Sequence, residues 1–431
     1  MNPELQRNFW LEYSLNRLLM LPIILGMIFY IVYLLSGELA QAANLTAKAC
    51  FVFFAIIWAS RQLSDSLIEE VRQHTWDWQR ISSISPWSLL WGKWLGSTLY
   101  SWYGATLSLI IMIASSSLSL QTNVYELVAM ICCALFGQGI ALLVCLQMFK
   151  RDRTLIRFHS HLAHLSGVIS ALVLITIVWT SENTWFEHWY NIEANHQTFI
   201  LLSLCTFCFW VILGNYRLIS DDLQISNSGG AWFSFVLFSL FYSSGIMQTP
   251  FSGLGFFAAM ALSYLMLILE GSKPSRLRQL TTEISQNKWK KVAELTPCWM
   301  IGLIPTGIYL VILVFTTAEQ DMLFFKQELH FFYIALFLFF LRDVGIVTWI
   351  QKTHKSKRSD ASILLYFVII YALLPALFTA LSLFGALQAI ISTPSVISCL
   401  AAAVQLLGLA FISWPYIRPN ALMKPTDPTH H

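Results

Sequence analysis

Long apolar runs separated by short polar stretches recur from one end of the chain to the other. Twelve of them predict membrane spans, over roughly 18–36, 43–60, 95–115, 125–149, 162–180, 197–214, 231–249, 251–270, 298–317, 329–350, 362–382 and 395–416. Each is long enough to cross about 30 Å of hydrocarbon at about 1.5 Å rise per residue. Such runs, with no strict alternation of apolar and polar positions, predict an all-α polytopic membrane protein. The second run is the least regular, because Lys48 intrudes on it. Ahead of the first run, Asn2–Arg17 reads as an interfacial helix. Leu5, Phe9 and Tyr13 recur every four residues, Arg7 falls on the opposite face, and Trp10 suits the headgroup level.

The polar stretches contain a repeat. Trp78-Gln79-Arg80-Ile81-Ser82-Ser83-Ile84-Ser85-Pro86 returns almost half a chain later as Trp289-Lys290-Lys291-Val292-Ala293-Glu294-Leu295-Thr296-Pro297. Each copy lies between two long apolar runs, so the pattern predicts two parallel six-helix repeats. The expected divisions are 1–17 as the interfacial helix, 18–217 as the first half, 218–418 as the second and 419–431 as a cytoplasmic tail. An even number of spans per half returns the chain to its starting side, which implies a pseudo-twofold axis normal to the membrane.

Composition agrees with this layout. The chain is 57% hydrophobic and 11% charged, with a mean hydropathy of +0.63; a soluble domain carries roughly twice that charged fraction. The net charge of +3 is scattered over short loops and forms no basic face, which argues against a nucleic-acid partner. With the N-terminus inside, all but three of the 26 Lys and Arg residues fall on the cytoplasmic side, the exceptions being Lys48, Lys326 and Arg342. The positive-inside rule therefore puts both termini in the cytoplasm. The segment Ser181–Gln197 carries Trp185, Phe186, Trp189 and Tyr190 and no Lys or Arg, as suits the outer headgroup level. The eight Cys residues lie in or beside apolar runs and read as small buried hydrophobes; Cys205 and Cys208 form a CxxC without neighbouring ligands.

The first inter-span loop has the densest chemistry: Glu69-Glu70-Val71-Arg72-Gln73-His74-Thr75-Trp76-Asp77-Trp78, then Ser85-Pro86-Trp87 and Gly92-Lys93. Ser-Pro breaks a helix, because the residue before proline disfavours the α region. A short amphipathic helix over Trp76–Ile84 is expected to lie along the membrane surface, with Trp78, Ile81 and Ile84 or Ser85 on one face. A helix of that kind docks into a groove on a soluble partner through aromatic anchors and a basic rim.

This loop resembles that of the permeases of ABC-2 type exporters, which carry an acidic residue after span two, a Gly-Thr pair, then Ser-Pro and Gly-Lys opening span three. Glu69 or Glu70, Thr75, Ser85, Pro86, Gly92 and Lys93 occupy those places, whereas His74 stands where the family has Gly. The second loop keeps Thr296-Pro297 and lacks Gly-Lys. The resemblance implies an ABC-2 exporter-like fold with two permease halves fused, in the inner (cytoplasmic) membrane of a bacterium, serving as the transport subunit of an ATP-driven exporter. Two cytoplasmic ABC ATPase subunits would be its partners and would hold the ATP and magnesium; this chain would carry no cofactor and perform no hydrolysis. It contains no Gly-x-x-x-x-Gly-Lys-Ser/Thr phosphate cradle of its own. The ATPase-coupling residues so implied are Glu70, Thr75, Trp76, Trp78, Arg80, Ser85, Pro86, Gly92 and Lys93, with Trp289, Lys291, Thr296 and Pro297 in the second half. The family's cavity would lie between spans two and five and spans eight and eleven. The aromatics there, among them Phe51, Phe53, Phe54, Trp58, Phe256, Phe257, Tyr264, Phe367 and Tyr371, favour an amphipathic or lipid-like substrate.

Three further features carry candidate chemistry. Arg342 and Asp343 sit within the tenth span, and intramembrane charges mark candidate gating or substrate groups. As neighbours on a helix they point apart and need not pair with each other. They also support the alternative function, a twelve-helix secondary transporter driven by an ion gradient, with Asp343 as its one clear acidic group. His159, His161 and His164 cluster before span five, without a carboxylate or thiol close by except Asp152, and predict no metal site. No arrangement of His, Asp or Glu at a membrane face predicts an embedded enzyme.

Overall fold

The computed structural model describes residues 3–12, 14–35, 39–81, 84–151, 156–180, 188–190, 192–193, 195–225, 229–247, 251–272, 274–320, 329–353, 359–380 and 396–417. Among them, nine helices are long and apolar enough to cross a membrane, and three shorter apolar helices cover Gly230–Ile246, Ser362–Leu377 and Ile397–Ile412. The chain is an integral multi-pass membrane protein of the helical type. It divides into two compact units, one of residues 1–187 and 193–227, the other of residues 188–192 and 228–431.

The first unit begins with α1 (Pro3–Glu12) and α2 (Leu15–Leu35). The expected single N-terminal helix to Arg17 is thus broken, and the Ser14 hydroxyl accepts from the Arg17 amide at 3.4 Å as α2 starts. The second apolar run forms α3 (Leu39–Phe51), a π-helical stretch (Val52–Trp58) and α4 (Ala59–Arg72). The expected loop from residue 61 is therefore helix as far as Arg72. Leu63, Leu67 and Val71, four apart, bury one face of it. After α5 (Thr75–Ile81) come α6 (Pro86–Ala114), α7 (Leu120–Arg151), α8 (Ile156–Thr180) and α9 (His196–Asp222).

Helix α7 is the hub of this unit, packed against both α8 and α9. Small residues permit the close approach: a Cβ on Gly137 would collide with the Gly167 carbonyl and with Ala171. The fully buried Gln138 donates to the Ala55 carbonyl in the π-helical stretch at 2.7 Å and accepts from Trp94 Nε1 at 3.0 Å. Lys48, the irregularity in span two, is paired with Glu126 of α7 at 2.8 Å, which accounts for a cation inside an apolar helix.

The second unit contains α10 (Gly230–Ile246), α11 (Gly253–Glu270), α12 (Pro274–Ser285), α13 (Trp289–Leu295), α14 (Cys298–Gln320) and α15 (Leu329–Thr353). There follow α16 (Ser359–Val368), a π-helical stretch (Ile369–Leu373), α17 (Leu374–Ala380) and α18 (Val396–Ile417). Its core joins Val236, Phe256, Trp299, Tyr309 and Phe340, with α11 packed on α10 and α14, and α15 on α18. Residues 188–190 add bonds to carbonyls near the C-terminus of α10: the Tyr190 hydroxyl donates to Phe241 O at 2.5 Å, the Tyr190 amide to Gly245 O at 3.2 Å, and Trp189 Nε1 to Tyr242 O at 3.2 Å. Lys326, the basic run 354–358, Trp185, Phe186 and the tail 419–431 lie outside the described residues.

Candidate functional site

In the first unit the loop is assembled on a buried carboxylate. Glu70, near the end of α4, forms a short ion pair with Lys93 and accepts from Arg7 of α1 at 3.0 Å. Its backbone carbonyl accepts from the Thr75 hydroxyl at 3.1 Å. Glu70, not Glu69, is the inward acid; Glu69 pairs with Arg72 at the surface. Between them, His74 adopts a left-handed backbone, φ 58°. A residue without a Cβ is favoured in that region, and here His occupies it.

The turn launches α5. Trp76 is only 4% exposed, donates from Nε1 to Asp222 of α9 at 2.6 Å, and stacks under Lys93, whose Nζ is 4.9 Å from its ring centre. Gln79, three residues on, is buried on the same face. Trp78 points the other way and is 73% exposed. The inward face of the helix is therefore Trp76–Gln79, Trp78 of the predicted apolar face is turned outward, and Ile84 packs against the core beyond the helix end. The short Ser85 cap, accepting from Ser88 N at 3.3 Å, starts α6 at Pro86, and Trp87 stacks on Tyr216. Gly92 is buried beside Lys93. The side chain of Arg80 lies outside the described residues.

In the second unit the same order of elements is held differently. α11 stops at Glu270 because Gly271 takes a left-handed φ of 69°. Glu270 Oε2 accepts from the Cys298 amide at 2.8 Å, so a carboxylate again ties the end of one apolar helix to the start of the next, here through backbone. Trp299 Nε1 reaches the Gly271 carbonyl at 3.3 Å, and Arg276 Nε donates to Leu295 O at 2.8 Å. Asn287, φ 56°, precedes α13 as His74 precedes α5. α13 buries none of its residues, and its Trp289 is 65% exposed with Lys290 and Lys291 exposed beside it. Thr296 donates to Val292 O at 2.6 Å and Pro297 is buried.

Of the sequence-chosen residues, Glu70, Thr75, Trp76 and Lys93 thus form one buried cluster, whereas Trp78, Trp289 and Lys291 are presented outward. Sequence reasoning missed Asp222, Arg7 as a partner of Glu70, and Glu270. The last carried a legible signal, an acid closing an apolar run at the position Glu70 holds in the first half.

Arg342 and Asp343 are fully within the second unit and pair with each other, Nε to Oδ1 at 2.9 Å, against the expectation for adjacent helix positions. The guanidinium folds back over the Phe339 ring, 4.7 Å from its centre, and so returns to the neighbouring carboxylate instead of reaching toward an interface. Tyr366 and Tyr264 also donate to Asp343, at 2.6 and 2.9 Å, and Tyr371 at 2.5 Å.

Among the expected cavity aromatics, Phe51 and Phe256 are completely buried in the cores of their own units; Phe53, Trp58, Phe257 and Tyr371 keep exposed surface. His161 is exposed and His164 half-buried, and the side chain of His159 lies outside the described residues. Cys208 donates to the Cys132 carbonyl at 3.2 Å, while Cys205 faces outward.

No family model, curated protein or solved structure matches the chain.

Proposed function

We propose that this chain is the membrane permease subunit of an ATP-driven exporter of the ABC-2 type, with two permease halves in one polypeptide of twelve spans. One observation carries the reading: two seven-residue helices, α5 and α13, each leading into a long apolar helix, each offering one exposed tryptophan from matched positions of a repeated phrase. A large exposed aromatic on a short polar helix is a typical anchor for a soluble partner. Element order supports the duplication. In each unit a second span ends in a carboxylate that holds the start of the third, and the fourth span packs on the sixth. The distribution of basic residues favours a cytoplasmic location for both short helices under the positive-inside rule, on the side where ABC ATPases reside. Each α5 or α13 would receive one ATPase, giving one permease chain per two ATPase subunits, with ATP and magnesium held by the latter. Apolar and aromatic helix surfaces favour an amphipathic or lipid-like substrate. The ion-gradient alternative would rest on Asp343, whose oxygens are engaged by Arg342 and three tyrosines.

The test is purification of the tagged chain from its native membrane, followed by native mass spectrometry. One chain with two ABC ATPase subunits is expected. Its isolation without any ATPase, from membranes where transport is intact, refutes the assignment.

A further inference from the structure

The fifth apolar helix of each unit is held in a different way. In the first unit α8 is locked against α7 by the Gly137–Gly167 contact and packs on α4 as well. In the second unit the corresponding helix, α16 through α17, packs its backbone mainly on α15, through α16. Ile363 anchors it in the core, while Leu364, Leu365, Leu373 and Leu377 are exposed. It is interrupted by the π-helical stretch Ile369–Leu373, a feature that marks hinges and functional sites, with Pro375 directly after.

Beyond Ile363 the helix is held by Tyr366 and Phe367, which pack on the core with Phe367 6.0 Å from the Tyr264 ring, and by the polar cluster. Tyr366 donates to Asp343 Oδ1 and Tyr371 to Oδ2, and Arg342 Nη2 donates to the Tyr371 oxygen at 3.1 Å. The other members of the cluster belong to better-packed helices. Tyr264 is on α11, and Gln405, 3.4 Å from Arg342 Nη1, is on α18. Both charges are on α15. If α16–α17 swings away, it gives up the apolar packing of Tyr366 and Phe367 but takes from the ion pair only two neutral hydroxyls, and Asp343 keeps Arg342 and Tyr264. No charge is left unpaired in hydrocarbon, which is the large penalty that otherwise forbids breaking a buried ion pair.

We propose that α16 through α17 is a moving gate element of the second unit, hinged at Ile369–Leu373, and that Tyr366 and Tyr371 on Asp343 are its latch. The Arg342–Asp343 pair is the fixed half of the latch and the two phenols are the detachable half. That the gate serves export rests on the function proposed above; the latch itself needs no ATPase to be seen.

Hydrogen–deuterium exchange of the full chain in lipid nanodiscs tests it, comparing wild type with Tyr366→Phe/Tyr371→Phe. Exchange over 359–377 is expected to be faster than over 160–178 already in the wild type. Each lost hydroxyl should speed opening by about threefold, and the double variant by nearly tenfold, by the measured scale of side-chain hydrogen bonds between membrane helices. Exchange over 329–353 should stay unchanged. An unaltered rate over 359–377 overturns the latch, and an equal acceleration of α15 and α16 overturns the gate, because the cluster would then be a strut of the whole unit. As the measurement involves no ATPase, its failure leaves the docking assignment intact, and absence of an ATPase partner leaves the latch intact.

Discussion

The two short polar helices occupy matching places in the two units, yet one is welded down and the other is perched. α5 is fixed from beneath by Trp76, Asp222 and the Glu70–Lys93 pair. α13 buries nothing and is joined to its surroundings at its ends, by Arg276 on the Leu295 carbonyl and by Glu270 on the next helix. The difference traces to chain length. His74 is followed by Trp76 and Trp78 before Pro86, whereas Asn287 is followed by Trp289 alone before Pro297. The extra tryptophan of the first loop became an inward anchor, and the outer one remained free to match Trp289. Two copies of one sequence phrase can thus present the same residue while differing in what stands behind it.

The comparison is most sharply tested at the carboxylates. Glu70→Leu leaves Lys93 buried without its carboxylate and should cost about 3 kcal/mol or more, read as the thermal unfolding midpoint of the detergent-solubilised chain. Adding Lys93→Met should recover most of that loss. Glu270→Leu removes a bond to a backbone amide and a 4.0 Å contact with the partly exposed Arg276, and should cost only about 1 kcal/mol. Equal losses in the two loops would show that both helices are built alike.

At the exposed tryptophans the loops should behave the same. Trp78→Ala and Trp289→Ala are each expected to weaken ATPase binding by about 2 kcal/mol. Both should leave the unfolding midpoint within about 0.5 kcal/mol of wild type. Intact co-purification and coupled hydrolysis in the double variant would remove the basis for the docking assignment. Trp76 is the control that separates inner from outer ring. Trp76→Phe forfeits the bond to Asp222 and should lower stability by about 1.5 kcal/mol, while Trp78→Phe should not lower it. The smallest effect is expected at the turns. His74→Gly relieves a left-handed backbone and should stabilise by about 0.5–1 kcal/mol, and Asn287→Gly by less, since Asn tolerates that region better.

Most of the helical layout could be read from apolar runs, because a membrane leaves no other way to satisfy a backbone. The ends of the runs were harder. α4 continues to Arg72 under a polar-looking sequence because Leu63, Leu67 and Val71 form a stripe, which a span search by mean hydropathy overlooks. Conversely α11 ends at Glu270 on one left-handed glycine. Within the site, residue types were legible and their facing was not. Trp76 and Trp78 are near neighbours of equal hydrophobicity, and the sequence-distant Asp222 and Lys93 are what hold Trp76 inward. The Arg342–Asp343 pair was visible as charge in an apolar span, but its mutual pairing depends on the aromatic shelf of Phe339 and on tyrosines from other helices.

The small segment at 188–190 bears on how the protein is handled as two pieces. A polypeptide cut at the obvious boundary near residue 227 would deliver the second unit without Trp189 and Tyr190, and so without the three bonds they add to carbonyls near the end of α10. A split gene for the two halves should therefore carry residues 188–192 on both fragments, or supply them to the second as a short leader.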